Sequence, residues 1–124
     1  MPGQGPWKTA SIAAAFLIVA PALAQAASPY GTWQRSNGAR IKVYSCGGGI
    51  GMKVTKSPSP KKVGKTIMCG AKKSGANTWK GSLLNLDDGQ RYSGVVKLNG
   101  SSLSLSGCVL GGLVCKSDSW RRVK

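Results

Sequence analysis

Apolar and polar residues alternate with a period of two along most of the chain after residue 26. Ile41 and Val43, for example, alternate with Arg40 and Lys42. A strand with one buried face requires this periodicity, because successive side chains point to opposite faces of a sheet. The pattern therefore predicts an all-β protein. The same alternation is carried further along the chain by Ile50, Met52, Val54, Tyr92, Gly94, Val96, Leu98, Leu103 and Leu105.

Residues that favour tight turns separate these segments, among them Asn37-Gly38, Asn99-Gly100 and Gly111-Gly112. We predict about eight strands, joined mainly as hairpins. Their predicted bounds are Gly31–Arg35, Ala39–Cys46, Ile50–Thr55, Thr66–Ala71, Thr78–Asn85, Arg91–Leu98, Ser102–Val109 and Leu113–Val123. The simplest architecture is a small antiparallel up-and-down barrel, which leaves no exposed edge, and an open sandwich is the alternative.

The first 26 residues have the features of a secretory signal peptide. Lys8 supplies the positive charge, Ile12–Ala20 is an apolar run, and Ala24-Gln25-Ala26 offers small residues for cleavage. The run is shorter than the roughly 20 apolar residues that a membrane-spanning helix needs. We therefore predict a signal peptide over 1–26 and a single domain over 27–124. The mature protein is expected to be periplasmic or secreted and monomeric, without a transmembrane segment.

Four cysteines in a short exported chain indicate a disulfide framework. A hairpin turn at Gly111-Gly112 would place Cys108 opposite Cys115. The expected Cα separation of such a pair, about 5.5 Å, suits a disulfide. Cys46 and Cys69 then remain for each other, which is one of the three connectivities open to four cysteines. We predict both bridges.

The composition excludes most enzymatic chemistry. The chain has no histidine and no glutamate, and its acidic residues are Asp87, Asp88 and Asp118. Catalytic triads need an imidazole, and zinc sites use histidine or cysteine, which here is assigned to bridges. Asp87-Asp88-Gly89 is interpreted as a turn, because hairpin connections select these residue types. We therefore predict that the protein is not an enzyme and has no catalytic residue, metal site or cofactor.

The chain is strongly basic, with a formal net charge of +15. Such a surface attracts anions, although net charge also serves solubility alone. The densest basic region surrounds an exposed loop with two prolines between residues 56 and 65. We predict contact with anions there, and a merely solvated loop is the alternative. The lysines of this region are Lys53, Lys56, Lys61, Lys62, Lys65, Lys72 and Lys73.

Nucleic acid is a weaker candidate partner. Aromatic and basic residues are neighbours at Trp79-Lys80, Arg91-Tyr92 and Trp120-Arg121-Arg122, a combination that binds single strands in other proteins. Alternation, however, points the two members of each pair to opposite faces of the strand. The sequence therefore predicts no shared platform for bases and phosphates.

Short segments spread over Gly31 to Val123 carry a family resemblance. They are Gly31-Thr32-Trp33, Tyr44-Ser45-Cys46-Gly47-Gly48, Trp79-Lys80-Gly81-Ser82-Leu83, Asp88-Gly89-Gln90-Arg91-Tyr92-Ser93-Gly94, Leu105-Ser106-Gly107-Cys108 and Trp120-Arg121-Arg122-Val123. In this order and spacing they resemble the bacterial domain-of-unknown-function family 2147. The resemblance implies an exported small β-barrel protein without an established activity.

The two ends of the domain are also similar to the lipocalin pattern of a Gly-x-Trp in the first strand and an arginine in the last. Here these residues are Gly31, Trp33 and Arg122. The resemblance implies that the Arg122 guanidinium stacks on Trp33 and seals one end of the barrel. A plug of this kind is favoured over a contact with a ligand.

Two functions remain open. In the first, the barrel binds a small apolar or amphipathic envelope molecule, while its basic surface faces anionic lipid headgroups. In the second, the inward side chains fill the core, and the protein is a structural or interaction protein of the envelope that binds anionic partners. The inward residues predicted to contact a ligand in the first case are Trp33, Met52, Trp79, Tyr92, Trp120 and Arg122.

Overall fold

The protein is an eight-stranded antiparallel β-barrel in which every strand pairs with the next. The computed structural model describes residues 28–124, so the predicted signal peptide lies outside the described residues. The strands are β1 (Gly31–Gln34), β2 (Arg40–Cys46), β3 (Gly49–Lys56), β4 (Thr66–Gly75), β5 (Thr78–Leu84), β6 (Arg91–Asn99), β7 (Ser102–Val109) and β8 (Val114–Arg122). The predicted all-β class and up-and-down barrel are confirmed.

Pairing of the first and last strands closes the barrel. Trp33 of β1 lies opposite Arg122 of β8, and Gln34 lies opposite Arg121. The sheet therefore has no free edge at this seam, and the open sandwich that the sequence also allowed is not formed.

The observed strand bounds follow the alternation closely, with one larger difference in β4. That strand continues to Gly75, whereas the sequence predicted an end at Ala71. Residues 72–75 are all exposed, so they carry no alternation that would mark them as a strand. They are held by pairing with β5, in which Lys73 lies opposite Trp79.

The connections group into two opposite ends of the barrel. One end, here called the open end, carries the connections 35–39, 57–65, 85–90 and 110–113. The other, here called the closed end, carries the connections 47–48, 76–77 and 100–101 together with residues 28–30 and 123–124. The basic loop predicted from the sequence belongs to the open end, where it includes a 3-10 turn at Pro60–Lys62.

The interior is filled chiefly by apolar side chains that the alternation assigns to the inner face. No polar or charged residue of the segment 28–124 is fully buried. A core of this kind is stabilised by the removal of apolar surface from water, at roughly 25 cal/mol per Å². The largest completely buried side chains are Trp33, Val43, Ile50, Met52, Met68, Val96 and Leu103.

Three glycines form a row across neighbouring strands on the inner face of the barrel. Gly81, Gly94 and Gly107 are directly paired across β5, β6 and β7. A Cβ atom on Gly94 would lie 2.7 Å from Met68 Cε, and one on Gly81 would lie 2.8 Å from Ala71 Cα. The missing side chains therefore let Ala71 and Met68 of β4 lie close to β5 and β6, with Met68 covering Gly94.

Both predicted disulfides are present. Cys46 is bonded to Cys69 with a Cα separation of 5.2 Å, and Cys108 is bonded to Cys115 with a Cα separation of 4.1 Å. The second separation is shorter than the expected 5.5 Å and is closer to that of the narrower type of antiparallel pair. The predicted turn is also confirmed, since the amide of Leu113 donates to the Leu110 carbonyl around two glycines with positive φ.

Candidate functional site

A pocket of about 560 Å³ opens at the open end of the barrel. All of the connections at this end or their flanking residues contribute to it, and core side chains form its floor. Its volume lies in the range of about 300–1,000 Å³ that is usual for small-molecule sites. The pocket therefore has the size and position of a ligand site at the mouth of a barrel.

The floor of the pocket is apolar. It is formed by side chains that are buried on the inner faces of five different strands. Leu83 of β5, which is partly buried, adds to the wall. The residues of the floor are Ile41, Val54, Ile67, Leu105 and Trp120. An apolar group that enters the pocket would thus meet a surface of aliphatic and indole carbon atoms.

The inner face of β8 becomes progressively exposed toward the open end. Trp120 is 3% exposed, whereas Val114, three inward positions closer to the open end, is 51% exposed. Between them, the side chain of Asp118 is 35% exposed, and Lys116 is exposed. The same face of a single strand therefore passes from a packed core to open solvent.

An ion pair stands at the side of the pocket. Arg35 Nε donates to Asp118 Oδ2 at 2.6 Å, and Trp120 Nε1 donates to the same oxygen at 2.8 Å. Within residues 28–124, the guanidinium makes no other hydrogen bond, and Asp118 Oδ1 accepts none. The pair therefore presents unused donors and an unused acceptor next to the apolar floor.

The sequence contained a signal for this pair that our prediction of ligand contacts did not use. Arg35 is the next inward position after Trp33, and Asp118 is the inward position before Trp120. Alternation alone thus places a cation and a carboxylate inside the barrel. Their contact could not be predicted, because it joins residues 83 positions apart and depends on pairing of β1 with β8.

The β5–β6 connection forms the rim on another side. The amide of Asp87 donates to Asn85 Oδ1, and the amide of Gln90 donates to Asp88 Oδ1, both at 2.8 Å. Gly89 has a φ of 71°, which is the left-handed region. Asp87-Asp88-Gly89 is therefore a turn, as the sequence predicted, and it also lines the mouth of the pocket.

The two aspartates of this turn are each held by a donor. Lys62 forms a hydrogen bond and an ion pair with Asp87, which lowers the pKa of that carboxyl. The Tyr92 hydroxyl donates to Asp88, which lowers the pKa of Asp88 and raises the pKa of Tyr92. Both carboxyls are therefore ionised at neutral pH.

The six residues predicted to contact a ligand lie in different places. Tyr92 and Trp120 line the pocket. Met52 and Trp79 are buried in the core, and Trp33 is buried at the closed end. Arg122 lies over the Trp33 ring, 4.3 Å from its centroid.

The closed end is sealed as the lipocalin-like pattern implied. Arg122 Nη1 donates to the Tyr30 carbonyl at 2.8 Å, and Nη2 donates to the Ser28 carbonyl. Trp33 Nε1 donates to the Pro29 carbonyl at 2.9 Å. Residues 28–30 are thereby fixed across this end, and the Trp33–Arg122 stack acts as a plug.

The seven predicted anion-contact lysines are divided between regions. Lys56, Lys61, Lys62 and Lys65 lie at the open end, and Lys62 is paired with Asp87. The other three lie along the strands. Lys53 is over the Tyr44 ring and Lys73 is over the Trp79 ring, both 5.9 Å from the centroid, and Lys72 donates to the Gly47 carbonyl.

The aromatic and basic neighbours that could have served nucleic acid point apart. Trp79 and Trp120 are buried, whereas Lys80 and Arg121 are exposed. In the segment 28–124, no group of three or more His, Cys, Asp or Glu side chains is placed to hold a metal ion. The same residues contain no helix that is long and apolar enough to cross a membrane.

Comparison with known proteins identifies the family of this chain. No curated protein sequence and no solved structure matches the chain. A family model matches residues 31–122, which include all eight strands. The chain therefore belongs to the family described as "Uncharacterized protein conserved in bacteria (DUF2147)", as its sequence motifs indicated.

Proposed function

We propose that this barrel is an exported, non-enzymatic binding protein for a small amphipathic molecule with an acidic head group. The observation that carries the proposal is the pocket of about 560 Å³ that joins an apolar floor to the Arg35–Asp118 pair. The apolar part of the ligand would rest on Leu105 and Trp120. Its head group would lie beside the Arg35 guanidinium.

The unused hydrogen-bonding atoms of the ion pair define the head group. Arg35 has free guanidinium donors, which match a carboxylate or phosphate oxygen. Asp118 Oδ1 is a free acceptor, which matches a hydroxyl or amide donor beside that anion. Lys116 also lines the pocket, where Arg35, Lys62 and Lys116 balance the charges of Asp87, Asp88 and Asp118. An acidic head group with a neighbouring donor would satisfy all of these atoms.

A binding role is favoured over catalysis by the state of the carboxyls. Asp87, Asp88 and Asp118 are the acidic residues of the chain, and each accepts a hydrogen bond from a fixed donor. A general acid needs a raised pKa, whereas the pKa values of Asp87 and Asp88 are lowered. Export is supported by the signal-like residues 1–26 and by the two disulfides.

The pocket can be tested by filling it. Gly107 lines the pocket, and a Cβ atom there would lie 3.3 Å from the nearest atom, Leu83 Cδ2. The backbone φ of Gly107 is not in the left-handed region, so Gly107→Leu should project a side chain into the pocket after a small shift of the flexible Leu83 side chain. Gly75→Leu is the matched control, because a Cβ atom on Gly75 meets nothing within 4 Å.

The experiment is a fluorescence titration with 1-anilinonaphthalene-8-sulfonate, followed by displacement with a medium-chain alkyl carboxylate or the alcohol of the same length. The original protein and Gly75→Leu should bind the dye and release it to the carboxylate more readily than to the alcohol. Gly107→Leu should bind it at least about tenfold more weakly. Equal binding by all three proteins would contradict the proposal.

The head-group assignment has its own variant. Arg35→Gln should bind the alkyl alcohol as before but lose the preference for the carboxylate, by a factor of about ten. Native mass spectrometry of protein purified from its own cell envelope would then identify the natural occupant as a mass that disappears on denaturation.

A further inference from the structure

We infer that the open end docks on an anionic phospholipid bilayer through the tip of the β7–β8 hairpin. The hairpin tip is defined here as Val109, Leu110, Leu113 and Val114. Leu110 is 71% exposed and Leu113 is 86% exposed, so two large aliphatic side chains stand in solvent. This surface does not belong to the pocket floor, and its docking does not depend on what the pocket binds.

The tip projects away from the rest of the barrel. A Cβ atom built on either of its glycines, Gly111 or Gly112, would meet no other atom within 4 Å. The Cys108–Cys115 disulfide crosses the hairpin one residue pair below Val109 and Val114. The leucines are therefore carried on a covalently braced projection, which can present them without help from neighbouring loops.

A second connection of the open end also carries an exposed apolar residue. Val63, in the β3–β4 loop, is 47% exposed, and it follows Lys61 and Lys62 directly. This loop and the hairpin both contribute to the rim of the pocket. Exposed apolar side chains, the kind that enter the acyl boundary of a membrane, therefore lie on two connections of the open end.

Positive charge accompanies these side chains. Within residues 28–124 the only ion pairs are Arg35–Asp118 and Lys62–Asp87. Lys56, Lys61, Lys65 and Lys116 of the open end are therefore exposed without an acidic partner. Basic residues near an anionic bilayer are attracted to its surface, while inserted leucines supply the apolar part of the binding. The combination fits an anionic membrane better than another copy of this basic chain, which would be repelled.

Docking in this way would turn the pocket mouth toward the lipid. Val109 and Val114 form the upper rim of the pocket, and Leu110 and Leu113 continue the apolar surface outward. An apolar path therefore runs from Leu105 in the floor to the hairpin tip. If the proposed function is correct, a ligand could pass along this path without entering water.

Vesicle co-sedimentation tests the docking surface. All proteins are produced identically so that they share one N-terminus, and are mixed with vesicles of phosphatidylcholine alone or of phosphatidylcholine with phosphatidylglycerol. The original protein should bind only the second kind, and less at high salt. Leu110→Ser/Leu113→Ser should bind about tenfold or more weakly. Tyr30→Ser is the matched control, because Tyr30 is 48% exposed at the closed end.

Two further variants separate the electrostatic from the apolar contribution to vesicle binding and show which part of the protein enters the bilayer. Lys61→Gln/Lys65→Gln should weaken binding and reduce its salt dependence. Leu113→Trp should show new quenching of tryptophan emission by bromine-labelled lipid, whereas Tyr30→Trp should not. Binding of the double leucine variant equal to that of the original protein would overturn the inference.

A second copy of the chain is the competing occupant of the tip. It would be shown by a dimer of the original protein in sedimentation equilibrium, a monomer of Leu110→Ser/Leu113→Ser, and no vesicle binding by either. This result would overturn the membrane inference but would leave the dye titration of Gly107→Leu unaffected. The two proposals therefore fail independently.

Discussion

The closed and open ends of this barrel are built from the same strands but use their inward positions differently. At the closed end, Trp33 is completely buried under the Arg122 guanidinium, which is fixed by two backbone carbonyls. At the open end, Arg35 is paired with Asp118 at the side of a pocket. One inward arginine therefore completes the core, whereas the other borders open volume.

The difference shows that a charged residue on the inner face of a small barrel can either complete the core or border a binding site. Arg122 has an aromatic ring and two carbonyl oxygens around it, so its donors are used within the fold. Arg35 keeps donors that no residue in 28–124 uses. Unused polar atoms beside apolar surface are what distinguishes a candidate binding site from a plug.

The largest effect is expected from removing the plug. Trp33→Ala should lower the free energy of unfolding by about 3–5 kcal/mol, because it leaves a cavity under Arg122. Tyr92→Ala at the open end, where the ring is only half-buried, should cost about 1 kcal/mol. Urea unfolding followed by circular dichroism measures both. Similar losses would mean that the open end is packed as tightly as the closed one.

The next largest effects are expected from removing the two disulfides, one at each end of the barrel. Cys46–Cys69 at the closed end spans 23 residues, and Cys108–Cys115 at the open end spans 7. Chain entropy predicts losses of about 3.5 and about 2.5 kcal/mol for the respective double alanine variants. Thermal unfolding tests the ranking, and hydrogen exchange should show that the second variant loosens mainly the hairpin tip. A larger loss for Cys108→Ala/Cys115→Ala would reverse the assignment of the closed end as the more strongly braced region.

Matched substitutions of the two arginines should have unequal effects. Arg122→Met should cost about 2 kcal/mol, since it removes the cation contact and two hydrogen bonds. Arg35→Met should cost less than about 1 kcal/mol, because the pair with Asp118 is partly exposed. Chemical unfolding of both variants provides the measurement. An equal cost would show that Arg35 is as structural as Arg122.

The smallest expected effect is the pH dependence of folding stability that arises from the titratable residues at the rim. Asp87 and Asp88 have pKa values lowered from 3.8, so they contribute stability that is present above this value and lost as the pH falls through the folded pKa. Tyr92 has a raised pKa, so its contribution is present below 10 and lost as the pH rises through the folded pKa. Carboxyl NMR titration should place both aspartates below 3.8.

Variants assign these shifts to their causes. Lys62→Met should return the pKa of Asp87 toward its ordinary value and leave that of Asp88 in place. Tyr92→Phe should do the reverse, because the hydroxyl is the main cause of the shift in Asp88. An Asp87 titration that is unchanged in Lys62→Met would show that the ion pair across the mouth does not form in solution.

Individual strands illustrate what could be predicted. Alternation in β6 assigned Val96 and Leu98 to the core, and both are buried. It did not predict the last residues of β4, which are polar on both faces and are held by pairing with β5. A strand segment without buried side chains shows no alternation of apolar and polar residues, so its sequence does not predict it.

The pocket residues show the same limit of prediction from the sequence. The inward positions of Tyr92 and Trp120 were predicted, and both line the pocket. Trp33, Met52 and Trp79 were assigned to the same inner face, but they are surrounded by other core side chains. Alternation cannot separate these two groups, because it reports the direction of a side chain and not what lies opposite.

By itself, the sequence determined most of the strand bounds, their inner faces, the Cys108–Cys115 pair and the strongly basic composition, since each follows from local periodicity, turn residues or composition. The Cys46–Cys69 pair was one of several connectivities, because no local pattern brings these two cysteines together. The tertiary structure decided where the interior is full. Met68 reaches over Gly94 and Arg122 over Trp33, whereas the inward residues Tyr92 and Asp118 line a pocket. The volume left inside a barrel depends on side chains from all of its strands at once, and only their closure brings Arg35 to Asp118.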